Sequence, residues 1–183
     1  MKKNILIGAG VLVLIFIIWV VYGLFFATPA SPPATASYSQ GGLEISIDYS
    51  QPSKKGRLIF GEEPAGALQP YGKYWRLGAN AATEITFNQD VTFGGKPVDA
   101  GTYRMYAVPG ADAFEVRLNS ETGVFFGVAE PDYALDVVTV QAPVQKIDSV
   151  VETFTIDIRS SDNGAIVVFS WDDVLFTVPV TLQ

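Results

Sequence analysis

From Leu43 onward the hydrophobic positions of this chain recur at every second residue. Leu43, Ile45, Ile47 and Tyr49 alternate with Glu44, Ser46 and Asp48; Phe114, Val116 and Leu118 alternate with Glu115 and Arg117; Val174, Phe176, Val178 and Val180 alternate with Leu175, Thr177 and Pro179. A period of two sends successive side chains to opposite faces, so these runs predict half-buried strands. Further runs at 83–93, 102–108, 134–142, 150–158 and 165–171 are rich in Val, Ile, Thr, Phe and Tyr, residues that fit a pleated surface. Between them stand the turn signals Gly94-Gly95, Pro109-Gly110, Asn163-Gly164 and Asp172-Asp173. About nine or ten short strands need two packed sheets, because one sheet of that length leaves a face and two edges exposed. The expected fold is all-β, an antiparallel β-sandwich of jelly-roll or immunoglobulin-like kind over residues 43–183. Roughly 140 residues bury a sufficient core without metal or disulfide.

The N-terminal pattern is different. Ile5 to Phe26 is uncharged throughout, and at about 1.5 Å per residue its rise of roughly 33 Å matches a hydrocarbon core of about 30 Å. A transmembrane α-helix is the expectation, with residues 1–26 a signal anchor. Lys2 and Lys3 precede it and the first acid is Glu44, so the positive-inside rule predicts a single-pass inner-membrane protein with a cytoplasmic N-terminus and a periplasmic β domain. Trp19 and Tyr22 suit the outer interface. Ala34-Thr35-Ala36 has the form of a cleavage site, but its distance and the length of the apolar run favour an uncleaved anchor. Residues 27–42, rich in Pro, Ala and Ser, predict an extended spacer.

Composition narrows the chemistry. With no histidine and no cysteine among 183 residues, the chain builds no Ser-His-Asp or Cys-His nucleophile system, no histidine or thiolate metal site and no disulfide. No D-x-D-x-D-G run supports calcium, and neither metal nor cofactor is expected. The net charge is −7, which disfavours nucleic acid. That charge is uneven. Residues 49–80 hold Lys54, Lys55, Arg57, Lys73 and Arg76 against Glu62 and Glu63, whereas residues 81–183 hold five bases against fifteen acids.

The basic segment is also where periodicity fails and glycine, proline and aromatics gather. It reads Tyr49-Ser50-x-Pro52-Ser53-x-Lys55-Gly56-Arg57-x-Ile59-Phe60-Gly61, then Pro70-Tyr71-Gly72-Lys73-x-Trp75-Arg76-x-Gly78-Ala79-Asn80-x-Ala82-Thr83, with Ala100-Gly101-Thr102-Tyr103 further on. This set of motifs resembles the signature of a bacterial domain-of-unknown-function family numbered 2911. The likeness runs from about Tyr38 to Gln183, and the Tyr-Gly-Lys-x-Trp-Arg-x-Gly-Ala-Asn block is its most specific part. The Gly61–Leu68 stretch looks longer than usual, and many relatives look secreted or lipid-anchored. The resemblance implies a cell-envelope location and an all-β domain, and no established activity.

Two readings of the segment compete. In one, Phe60, Tyr71 and Trp75 are core aromatics and Arg76 and Asn80 satisfy loop carbonyls. In the other, Lys55, Arg57, Arg76 and Asn80 meet an anionic or hydroxyl-rich ligand while Tyr71 and Trp75 stack on it, with Glu84 the nearest carboxylate. The expected function is a non-catalytic envelope protein presenting a β-sandwich for binding or as an accessory subunit. Its expected partners are the membrane through residues 5–26, a membrane-protein complex, or an anionic or glycan ligand. The alternatives are a lipid- or glycan-binding module, or a carbohydrate-active hydrolase working through paired carboxylates such as Glu84, Glu62 or Glu63.

Overall fold

The computed structural model describes residues 2–25, 30–125 and 127–183. The chain divides into two compact units, residues 1–30 and 31–183. The first holds α1 (Lys2–Phe25). Its side chains are described without a break only over residues 10–21. Among the described residues no helix is long and apolar enough to cross a membrane. The expected transmembrane anchor over 5–26, and with it the single-pass inner-membrane location and the periplasmic placement of the β domain, is corrected accordingly. The Tyr22 side chain, Phe26 and residues 27–29 of the expected spacer lie outside the described residues.

The second unit is an antiparallel β-sandwich. Its strands are β1 (Pro33–Gln40), β2 (Leu43–Ser50), β3 (Phe60–Gly61), β4 (Gln69–Pro70), β5 (Thr83–Phe87), β6 (Val91–Phe93), β7 (Lys96–Val98), β8 (Gly101–Val108), β9 (Ala113–Asn119), β10 (Asp136–Pro143), β11 (Gln145–Ser161) and β12 (Gly164–Leu182). One sheet has the order β1-β2-β5-β8-β9-β10 and the other β11-β12-β6-β7, while β3 and β4 form a short parallel pair. The expected alternation holds: Leu43, Ile45, Ile47, Phe114, Val116, Leu118, Val174, Phe176, Val178 and Val180 are all buried between the sheets.

Two expectations fail for physical reasons. The spacer is not a spacer beyond Pro32, because residues 33–40 are β1, paired with β2 from Pro33↔Ser50 to Gln40↔Leu43. Its inward residues, Ala34, Ala36 and Tyr38, pack against the core, but two of the three are too small to register as a hydrophobic period. Asp172-Asp173 is not a hairpin turn either. Asp172 has φ +57° within the continuous strand β12, opposite an irregular stretch of β11. The left-handed conformation that acidic residues tolerate serves a strand irregularity here rather than a turn. Between Lys146 and Thr155, β11 shifts register twice and meets β12 at Val151↔Asp172, and residues 52–54 pair with it as well: Phe154 N–H donates to the Pro52 carbonyl at 2.9 Å and Lys54 N–H to the Glu152 carbonyl at 2.7 Å.

Candidate functional site

The residues singled out in the basic segment do not converge. Trp75 is 2% exposed and lies stacked on Trp171, with ring centroids 5.8 Å apart, among Phe60, Phe114 and Phe154. Its backbone pairs with Ala107 in both directions at 2.8 Å, which extends the six-stranded sheet beyond β5. The Trp75 ring therefore plugs the core and has no face left for a ligand. Tyr71 is half-buried and packed on the same core. Lys55 and Arg57 are exposed. The Lys55 N–H donates to Glu152 Oε1, and the Arg57 guanidinium donates to the carbonyls of Lys54 and Ser53. Between these bases and Arg76 no hydrogen bond or ion pair exists among the described residues. Arg76 and Asn80 bond loop carbonyls as the loop-satisfying reading expected, and Arg57, which that reading did not include, does the same.

Arg76, Asn80 and Glu84 do belong together, on the outward face of the six-stranded sheet. Arg76 Nη1 donates to the Asn80 carbonyl at 3.1 Å, and Asn80, at φ +59°, donates its side-chain amide to the Ser31 carbonyl. The same stretch holds the connection between β9 and β10. Gly127 N–H donates to the Asn80 carbonyl at 3.0 Å and Ala82 N–H to the Val124 carbonyl at 3.1 Å. Gly127 is required for this approach, since a Cβ there would lie 2.8 Å from the Ala82 nitrogen.

Strand pairing then assembles a row that the sequence does not announce. Thr35, Asp48, Glu84, Arg104, Asn119 and Asp136 are successive cross-strand partners across all six strands. Every member is polar, and their side chains share the face away from the core. Arg104 is 1% exposed. Its Nη1 donates to Glu121 at 2.7 Å, and its Nη2 donates to the Tyr74 hydroxyl at 2.7 Å and the Ala129 carbonyl at 2.6 Å, leaving Nε without a partner. Asp136 accepts from the Tyr106 hydroxyl, Arg117 Nη1 and Asn119 Nδ2. Burial, and next the hydrogen bond to Asp136, push the Tyr106 phenol far above its ordinary value. Burial also raises Tyr74, opposed by its Arg104 hydrogen bond. Sequence reasoning missed Arg104, Tyr106, Arg117, Asn119 and Asp136. The available signal was the tight run Tyr103-Arg104-Met105-Tyr106, in which large polar residues alternate with core residues on a strand.

Near the middle of the row the sheet opens into a cavity of about 290 Å³ lined by Asp48, Ala81, Ala82, Glu84, Gly123, Val124 and Phe125. Asp48 Oδ1 accepts from the Thr35 hydroxyl and Glu84 Oε1 from the Gly123 N–H, both at 2.5 Å. Their second oxygens have no hydrogen-bond partner among the described residues, and neither carboxylate is ion-paired there.

The family described as "Protein of unknown function (DUF2911)" matches residues 31–180, which begin just before β1 and end within β12. The chain belongs to this family. The DUF2911 match takes in every strand of the sandwich except the last two residues of β12, together with the polar row and the Trp75 plug. No curated protein matches this chain. No solved structure matches it either. Within the DUF2911 domain the sequence block around Trp75 to Ala82 has two separable tasks, closing the core through Trp75 and anchoring the 121–129 connection through Asn80 and Ala82. Among the described residues, no group of three or more acidic side chains is arranged to hold a metal ion.

Proposed function

We propose that this domain is a non-catalytic binding module, an accessory component of a larger assembly, that meets its partner on the outward face of the six-stranded sheet around residues 121–129. One observation carries the reading. The 121–129 connection is held at its backbone by Glu84, Asn80, Ala82, Tyr74 and Arg104, yet it presents Phe125 at 76% exposure and Val128 at 65%. Large apolar side chains beside backbone that is already hydrogen-bonded at Gly123, Val124, Gly127 and Ala129 favour association, because less conformational entropy remains to be lost on binding. The test is affinity capture with the full chain beside a Phe125→Ser/Val128→Ser variant that melts at the same temperature. A stoichiometric partner recovered with the parent chain and lost with the variant is the expected result. Equal recovery with both sinks the reading.

A hydrolase using paired carboxylates is the second reading, favoured by Asp48 and Glu84 opening into one cavity. Directly opposed residues on antiparallel strands have Cβ atoms about 4.5–5.5 Å apart, close enough for two carboxyl groups to flank one bond. Turnover of a glycoside that disappears in a folded Glu84→Gln variant would replace the binding reading with this one.

A further inference from the structure

We infer that the surface around Phe125 takes a polypeptide segment carrying a lysine or arginine beside apolar residues, the cationic side chain entering the cavity floored by Asp48 and Glu84. This rests on the binding reading above and specifies its partner. Asp48 and Glu84 are direct cross-strand partners, and like charges placed opposite one another on a sheet destabilise it. Among the described residues neither has an ion-pair partner. Arg104, the next residue of the row, is turned to Glu121, Tyr74 and Ala129, and Arg76 is engaged by the Asn80 carbonyl. From Leu118 to Gln145 the chain contains no Lys or Arg, while Glu121, Glu130, Asp132 and Asp136 add negative charge.

The cavity's walls give the rest of the ligand's character. Ala81, Ala82, Val124 and Phe125 line it beside the two carboxylates. An apolar wall ending in acid matches the aliphatic stem and charged head of Lys or Arg. At about 290 Å³, the space lies at the lower end of ligand pockets, about 300–1,000 Å³, and suits one side chain rather than a free-standing cofactor. Val128, exposed on the same connection, extends the apolar contact beyond the cavity.

The test is a random-peptide phage library panned on the immobilised full chain, with enriched peptides then measured against the parent, Asp48→Asn/Glu84→Gln and Phe125→Ser. Enrichment of peptides with Lys or Arg next to apolar residues is expected, with affinity falling about tenfold or more in the charge-neutral variant and weakening with salt. Peptides that ignore Asp48→Asn/Glu84→Gln but lose binding to Phe125→Ser overturn the cationic class and leave the binding surface standing. Peptides indifferent to both variants, or none enriched at all, overturn the inference and the surface together. The charge-neutral variant removes only charge from half-exposed positions, and an unchanged circular dichroism melt confirms that it folds.

Discussion

Arg104 on β8 reaches Glu121 at 2.7 Å from a position 1% exposed to solvent, and through that pair the sheet holds the connection that carries Phe125. The Glu121 side chain is 40% exposed, so the pair itself is partly screened. The stronger constraint lies in the neutral partners. Arg104→Ala leaves the Ala129 carbonyl and the Tyr74 hydroxyl without their donor, which costs about 1–3 kcal/mol by the usual penalty for an orphaned buried group. Urea unfolding reads the loss, and hydrogen exchange at Gly123 and Gly127 shows where it falls. Unchanged protection at those two amides would mean that Arg104 does not hold the connection.

Tyr49 performs the corresponding task between the sheets. Its hydroxyl donates to the Ile156 carbonyl at 3.3 Å and accepts from the Ile156 N–H at 3.1 Å, while its ring meets Phe154 edge-on at 5.8 Å. Tyr49→Phe keeps the ring and removes both bonds to Ile156 and the one accepted from Gln51 Nε2, leaving a backbone donor and acceptor on β11 unpaired inside the sandwich. A loss of about 1–3 kcal/mol in urea unfolding is expected. A change too small to resolve would show that Ile156 finds other partners.

Alkaline pH weakens the fold through phenols held above their ordinary value. Tyr133 is pushed up to about 12, by burial first and by its hydrogen bond to Glu130 next, and Tyr74 and Tyr106 are also raised. In the unfolded chain these groups ionise near their ordinary value of about 10. Their folded-state values lie higher, so their contribution to stability is complete below about pH 10 and is lost as pH rises toward about 12 and beyond. Urea midpoints are expected to hold from neutrality to about pH 9 and then fall. Tyr106→Phe makes that fall shallower, and an equally steep fall in the variant would remove Tyr106 from the account.

The basic segment divides sharply between core and surface. Trp75→Ala opens a void among Phe60, Phe114, Phe154 and Trp171 and is expected to cost about 3–5 kcal/mol. Lys55→Ala, whose side chain makes no hydrogen bond or ion pair among the described residues and whose N–H would still reach Glu152, stays within about 0.5 kcal/mol. Thermal melts of the two variants separate these outcomes. Comparable losses would mean that the Lys55 side chain has a structural partner.

What the sequence disclosed depended on how local the cause was. Strand positions such as Ile45, Val116 and Val178 were legible because alternation is written in neighbouring residues. Asn80 was legible as a special position because it stands in a glycine-rich block, although its carbonyl, which receives Gly127 and Arg76, does more of the holding than its side chain. The polar row was not legible. Asp48, Glu84, Arg104 and Asp136 lie far apart in sequence, and only strand order and register make them neighbours. β1 was missed because alanine carries too weak a hydrophobic signal to mark a period.

Asp172 shows how a misread turn residue still identifies a constrained backbone. At φ +57° and 8% exposure, it pairs with Lys54, the residue whose own N–H bridges to the Glu152 carbonyl of β11. Both the conformation and the ion pair favour a short polar side chain there. Asp172→Asn keeps the tolerance for a left-handed backbone but leaves the Lys54 ammonium, only 21% exposed, without its counter-charge. Asp172→Val loses the pair as well and adds about 1–2 kcal/mol of steric strain from a branched residue at positive φ. The expected order of unfolding midpoints is parent, then Asn, then Val. If Val matched Asn, β12 would have relaxed out of the left-handed conformation, and the register shifts of β11 on either side of Val151 would have to be set by residues 52–54 alone.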